Sequence, residues 1–415
     1  MIKNLLTSLF IAAFATGFSA AQTNRPENER PPVKVVVTDN TKPAVEIKAA
    51  EPRPTPTEIV RPRIAIRPDA SATSARTLSF RQIKNKLAEA KRQMQSRPLP
   101  TALTENTEEG SELVRIAFHD WVTGEIDYVV MSKASFLSIK EDKEVISEEG
   151  KRLITRTIRG NGVNTPIILL DEDGVAHLPL MVQYPVIRGG KFIETAYYMS
   201  THPGLVTPEV VNAGRLYLHN IIEIARDRLS KHGIKIQPKI ADIAERLAAV
   251  EHVDHTRFRN EPHINIYNDV YTLFALNEGQ TYRYAVSSAG AGGLVQMIPS
   301  TYRMIRGLYP GVPLTADFVD GMRDHVNAAQ AMLLYMQFTW NDLVSRPAVA
   351  DALLSGIATQ EQLMAAGYNS NPARLPGYIT RGGSGWTELI PRETQIYLQI
   401  YASIEANVRA DARER

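Results

Sequence analysis

Glu278 is followed nine residues later by Ser287-Ser288-Ala289-Gly290-Ala291-Gly292-Gly293-Leu294-Val295-Gln296-Met297-Ile298-Pro299, and the next acid in the chain is Asp317. A lone carboxyl group beside a Gly-rich segment suits proton transfer on a polyhydroxylated substrate. Ser287 and Gln296 can hydrogen-bond hydroxyl or acetamido groups. Gly290, Gly292 and Gly293 let backbone approach a ligand closely or adopt positive φ. Residues 269–277 read as helical, and Glu278 lies four residues after Phe274 and seven after Tyr271. On a helix those three share a face. The carboxyl is therefore expected beside aromatic surface, where desolvation favours the neutral form that a general acid needs. Taken alone, these features also fit a solvated helix-end carboxylate and an ordinary Gly-rich turn.

Two later segments recur with this one in a set order. They are Gly367-Tyr368-Asn369-Ser370-Asn371-Pro372-Ala373-Arg374-Leu375 and Pro391-Arg392-Glu393-Thr394-Gln395-Ile396-Tyr397. In combination the three segments resemble the soluble lytic transglycosylase (goose-lysozyme-like) family, over residues 238–408. The resemblance implies an all-α lysozyme-like fold for that stretch and cleavage of the MurNAc–GlcNAc β-1,4 bond of peptidoglycan. Most glycosidases use two carboxyl groups. The family chemistry needs one, because the sugar's own N-acetyl group stabilises the developing positive charge. By resemblance Glu278 protonates the glycosidic oxygen. As a carboxylate it then takes the proton of the C6 hydroxyl, and O6 attacks C1 to give a 1,6-anhydro end. The Tyr368 hydroxyl is expected on that carboxyl, Asn369 along the groove, and Glu393 lining or bracing it. No cofactor or metal is implied.

The chain departs from the family pattern at several positions. Gly279 stands where a Ser usually follows the catalytic Glu, which removes a hydroxyl beside the acid. Val295 replaces a Met before Gln296, Ile298 replaces a Met after it, and Asn371 replaces a Gly before Pro372. Two alternatives follow. A hydrolytic muramidase on the same fold would need a positioned water and an acidic partner such as Asp317, Asp320 or Asp324. A non-catalytic peptidoglycan-binding or scaffold protein would keep glycan affinity without turnover.

Composition narrows the remaining classes. The chain has 415 residues, 47 Lys and Arg against 45 Asp and Glu, and no cysteine. The balanced charge gives no basic footprint for nucleic acid. Disulfides, thiolate metal sites and a cysteine nucleophile are excluded. His252, Asp254, His255 and His263 cluster in sequence but lack a zinc-binding pattern, so they read as a polar loop. Lys3, the apolar stretch 5–18 and Ser19-Ala20-Ala21 read as a signal peptide over residues 1–21, with an uncleaved anchor or full secretion as alternatives. The expected location is the periplasm, at the cell wall.

The elements that must position the site follow from patterning. Residues 22–78 hold nine prolines and no aromatic residue, a composition too poor in apolar side chains to bury a core, and read as a disordered Pro/Arg-rich tether. Residues 79–95 read as a helix opened by a Ser79/Gln82 capping box, within a helix-and-linker segment 79–110. Residues 111–236 read as a β-rich accessory module with a following helix, a candidate contact for an envelope protein. Its strands are expected at 113–121, 126–136, 166–170, 175–187 and 192–199. Its closing helix starts at Thr207-Pro208 and stops at Gly233, with Leu216, Leu218, Ile221, Ile222, Ala225 and Leu229 buried. Residues 237–408 read as the all-α domain, with a central buried helix over 327–340, and 409–415 as a polar tail. A second capping box, Thr359/Gln362, opens a helix that Gly367 is expected to end. Trp340 is read as core and Trp386, in a Gly-rich loop, as a sugar platform. The whole is an α+β multidomain chain.

Overall fold

The computed structural model describes residues 77–99, 112–139, 141–158, 166–188, 191–199, 202–279, 289–409 and 413, all within one compact unit spanning 67–415. The expected signal peptide, nearly all of the tether, most of the 96–110 linker, Ser287 and most of the 409–415 tail lie outside the described residues. The layout is a β-rich region followed by a helical one.

Helix α1 (Phe80–Ser96) opens with the expected capping box and buries Ile83, Leu87, Ala90 and Met94 along one stripe. It lies on a seven-stranded sheet made of β1 (Leu113–His119), β2 (Ile126–Ser132), β3 (Lys143–Ile146), β4 (Arg152–Thr157), β5 (Ile167–Asp171), β6 (Ala176–Arg188) and β7 (Lys191–Met199). The order is β2-β1-β6-β5-β4-β3, with β7 also on β6, and all of these neighbours pair antiparallel. A bridge between Val129 and Ser147 brings the two ends of the sheet together, so it is nearly closed. Strand β6 makes this possible. Its first residues pair with β5, while the rest pairs with β1 on one side and β7 on the other.

The short strands β3 and β4 escape the sequence reading because Lys143-Glu144-Val145-Ile146 and Arg152-Leu153-Ile154-Thr155-Arg156-Thr157 carry too few apolar residues. The strand expected to run to residue 136 stops at Ser132. The Ser132 hydroxyl there caps a short helix, α2 (Lys133–Leu137). The acidic turn after β5 is a hairpin turn with Gly174 at φ +77°.

The helical region comprises α3 (Pro208–Lys231), α4 (Pro238–Val250), α5 (His255–Asn260), α6 (His263–Leu276), α7 (Pro299–Leu308), α8 (Phe318–Arg323), α9 (His325–Val344), α10 (Pro347–Leu354), α11 (Gln360–Asn369), α12 (Leu375–Gly382), α13 (Trp386–Leu389) and α14 (Arg392–Asn407). Helix α9 is central and buried nearly all round, as its sequence predicts. Helix α3, grouped with the β-rich module on sequence, puts Leu218, Ile221, Ile222, Ala225 and Leu229 into the same core as α4, α6 and α9. Leu216, expected in that face, is 45% exposed, because it lies two residues from Leu218 and so off the buried stripe. Helix α3 crosses α6 at Gly214, where an added Cβ would sit 1.8 Å from the Tyr271 carbonyl oxygen.

The two regions share an apolar cluster. Ile83, Leu87, Ala90 and Met94 of α1 meet Ala117, Leu178, Leu180 and Met181 of the sheet, together with Val210 of α3 and Ala275 and Leu276 of α6. On β1 the alternate residues Val114, Ile116 and Phe118 enter a second cluster inside the sheet. The β1 strand is therefore buried on both faces: the outer one carries Arg115, Ala117 and His119, and Ala117 shares the outer cluster with Ala275 and Leu276 of α6. Arg323 of α8 and Glu194 of β7 add an ion pair at 2.9 Å across the same junction.

Candidate functional site

Glu278 lies two residues beyond the end of α6. Asn277 closes that helix with its backbone N–H on the Leu273 carbonyl, and its buried side-chain amide donates to the same oxygen at 2.9 Å. The chain then turns at Gly279, at φ +91°, a conformation open to glycine and strained for a serine. The departure at this position is thus a backbone requirement. The Gly279 N–H donates to the Tyr217 hydroxyl at 2.7 Å, and that hydroxyl lies 2.6 Å from His325 Nδ1. Burial, with the carboxylates of Glu278 and Asp324 adding to it, pushes the Tyr217 hydroxyl up to about 12.

The expected apolar setting of the Glu278 carboxyl is not what the fold supplies. Its side chain is 38% exposed, and its Oε2 accepts from Lys84 Nζ of α1 at 2.8 Å. Because the helix ends at Leu276, Glu278 is off the face that carries Phe274 and Tyr271. Both rings pack inward instead.

The Gly-rich segment is a tight turn pinned from three sides. Gly292 N–H donates to the Met297 carbonyl at 3.1 Å. His252 Nε2 bonds the Leu294 carbonyl at 2.8 Å, and the Tyr368 hydroxyl donates to the Val295 carbonyl at 2.7 Å. Gly293, at φ +72°, presses on α8: a Cβ there would sit 2.2 Å from the Met322 carbonyl oxygen. Gln296 holds φ +47° and spends its side-chain amide on the Gly293 carbonyl at 2.9 Å.

Tyr368 therefore touches the turn rather than the Glu278 carboxyl. It lies in the last turn of α11, because the helix continues through Gly367 to Asn369. Gly367 packs closely on Pro372 instead of ending the helix. The Asn369 side-chain oxygen accepts from Thr394 of α14 at 2.8 Å. Glu393 is exposed in the first turn of α14, where its charge acts on Glu251 and His255. The segments around Val295, Tyr368 and Thr394 are thus joined by direct hydrogen bonds, although the last lies some hundred positions from the first.

Comparison with family models, with curated proteins and with solved structures finds no match for this chain.

Several groups in this neighbourhood carry no mark in the sequence. Glu251, at the end of α4, receives the Tyr397 hydroxyl at 2.6 Å; enclosure by the helical core, reinforced by the Glu393 charge, raises its carboxyl to about 8. Burial, with Glu251 nearby, holds the Tyr368 phenol well above its usual range. Burial also lowers His252 to about 4, so it binds Leu294 as a neutral imidazole. Lys84, Tyr217 and His325 belong to elements that no motif connects to Glu278.

Other expected roles resolve differently. Trp386 is 1% exposed and donates to the Ile357 carbonyl, so it is core and offers no sugar platform. The glycines before it form a short 3-10 turn between α12 and α13, and the indole reaches Ile357 just beyond the end of α10. Trp340 is core. Asp254 caps α5, while His263 bonds Ser403 and the Phe258 carbonyl. Among the described residues no group of three or more potential ligands could hold a metal ion.

Proposed function

We propose that the chain is a peptidoglycan lytic transglycosylase, with the helical region as a lysozyme-like catalytic domain and Glu278 as acid and then base. The observation that carries the reading is the Tyr368–Val295 hydrogen bond together with the Asn369–Thr394 one. They join the three segments on which the resemblance rests into one body around a Gly-rich turn. Glu278 stands at the end of α6, with its carboxyl partly open to solvent.

In this reading the protonated Glu278 carboxyl gives its proton to the glycosidic oxygen after N-acetylmuramic acid, and the bond to C1 breaks. The carboxylate then removes the C6 hydroxyl proton while O6 bonds C1. The product is a 1,6-anhydroMurNAc end, with no water consumed. Oε2 accepts from Lys84, so the proton is presented from Oε1 or after that contact opens. Ser287, Gln296, Asn369 and Glu393 remain candidate glycan contacts, Gln296 through whatever hydrogen-bonding capacity its own turn leaves free. Export to the periplasm and contact of the β-rich module with an envelope protein belong to the same proposal.

The hydrolytic alternative is less well supported by geometry. Asp317 and Asp324 accept backbone N–H groups as the N-caps of α8 and α9. A non-catalytic glycan-binding protein is favoured by one observation, the ammonium of Lys84 seated on the carboxyl. Mass spectrometry of purified peptidoglycan incubated with the protein, beside Glu278→Gln, separates the three. Anhydromuropeptides from the parent alone support the proposal. Reducing ends point to hydrolysis, and glycan binding without products points to a scaffold.

A further inference from the structure

We propose that Tyr217 is a positioning residue for Glu278: its hydroxyl, backed by His325, clamps the Gly279 peptide and so fixes where the acid is presented. The inference rests on the reading of Glu278 as the catalytic acid.

The need for such a clamp follows from the end of α6. Leu276 is the last helical residue, so Glu278 lies outside the helix ladder and gains no rigidity from it. Gly279 at φ +91° is the least restrained residue type in a reversing conformation. A carboxyl attached to such a joint would sample a wide arc, and a displacement of about 1 Å can cost on the order of 100-fold in rate.

Two helices of the main core remove that freedom. Tyr217 comes from α3, half-buried against the helical core. Its oxygen accepts the Gly279 N–H at 2.7 Å. His325, fully buried as the first residue of α9, lies with Nδ1 2.6 Å from the same hydroxyl, and its backbone N–H reaches the Gly279 carbonyl at 3.5 Å. The rings meet edge to face at 5.8 Å between centroids. The peptide unit after Glu278 is thus held at its N–H, and more loosely at the following carbonyl, by groups that are themselves fixed by packing. Gly279 brings no side-chain hydroxyl to the site, and Tyr217 brings one from another helix. The phenol remains protonated throughout the working pH range, so the clamp does not titrate with the substrate cycle.

Tyr217→Phe keeps the ring and deletes the hydroxyl. Parent, Tyr217→Phe and Glu278→Gln are compared on soluble glycan strands by release of anhydro ends, with hydrogen–deuterium exchange of peptides covering Leu276–Gly279. The expected result for Tyr217→Phe is a kcat lower by about 10-fold with KM within about twofold, together with faster exchange confined to the Gly279 peptide. A kcat within about twofold of the parent, while Glu278→Gln is inactive, overturns the positioning role alone. A lower kcat with unchanged exchange overturns it as well, because the effect would not run through that peptide. A parent that yields no anhydro ends removes the reading beneath it.

Discussion

Lys84 Nζ lies 2.8 Å from Glu278 Oε2, across 194 positions of sequence. Both side chains are more than a third exposed, so the pair is worth no more than about 1 kcal/mol. Ile83, Leu87 and Met94, buried by the same helix, contribute about 1.5–3 kcal/mol each. Apolar packing therefore holds α1 in place, and the ion pair is a consequence of its docking.

Lys84→Met should then leave α1 docked and the unfolding free energy within about 1 kcal/mol of the parent. If Glu278 is the acid of the proposed transglycosylase, release of Oε2 should raise anhydro-end formation by a few-fold at limiting substrate. Initial rates beside urea unfolding curves test this. A lower rate would mean that Lys84 assists the reaction.

Glu251 predicts a pH signature in stability. Its folded-state value is raised to about 8, against an ordinary carboxyl near 4.3. The folded state holds this proton between those values and the unfolded state does not. Stability from it is fully present below about 4.3 and is lost as pH rises through about 8. Between pH 6 and pH 9 the loss is about 2–3 kcal/mol as an upper figure. Glu251→Gln should flatten that decline, seen as a smaller drop in melting temperature over the interval. An equal decline in the variant would rule Glu251 out as its source.

Gly293→Ala should be severe. The new Cβ meets the Met322 carbonyl 2.2 Å away, at a residue held at φ +72°. Backbone strain and steric conflict together should cost about 3 kcal/mol or more. Gly290→Ala, with its nearest neighbours the Pro299 side-chain atoms at 3.8 and 3.9 Å, carries only the backbone penalty of about 1–2 kcal/mol. Urea unfolding of the two variants should rank them in that order.

Local signals in the sequence were enough to place much of the scaffold. Ser79 and Gln82, Thr359 and Gln362, and Thr207-Pro208 specify helix starts through contacts three residues apart, so they are legible without a fold. The apolar content of 327–340 marks a helix buried on all sides, since no exposed face could carry it. The pattern of apolar runs between turn signals located five of the seven described strands. It missed β3 and β4, whose partners in the sheet, rather than their composition, make them strands.

The surroundings of Glu278 were decided by tertiary structure. Its place after α6 was legible, but the sequence placed it beside Phe274 and Tyr271, and the helix stops too early for that. Lys84 reaches the Glu278 carboxyl, and Tyr217, backed by His325, holds the next peptide, from three elements separated by more than a hundred positions. No spacing rule connects such residues, because their meeting depends on how α1 lies on the sheet and how closely Gly214 lets α3 approach α6. Trp386 shows the same limit in reverse. Its Gly-rich neighbours suggested an exposed loop, and packing buried it. Chemistry that depends on residue type can be read from one chain, whereas chemistry that depends on which side chains converge is set by packing.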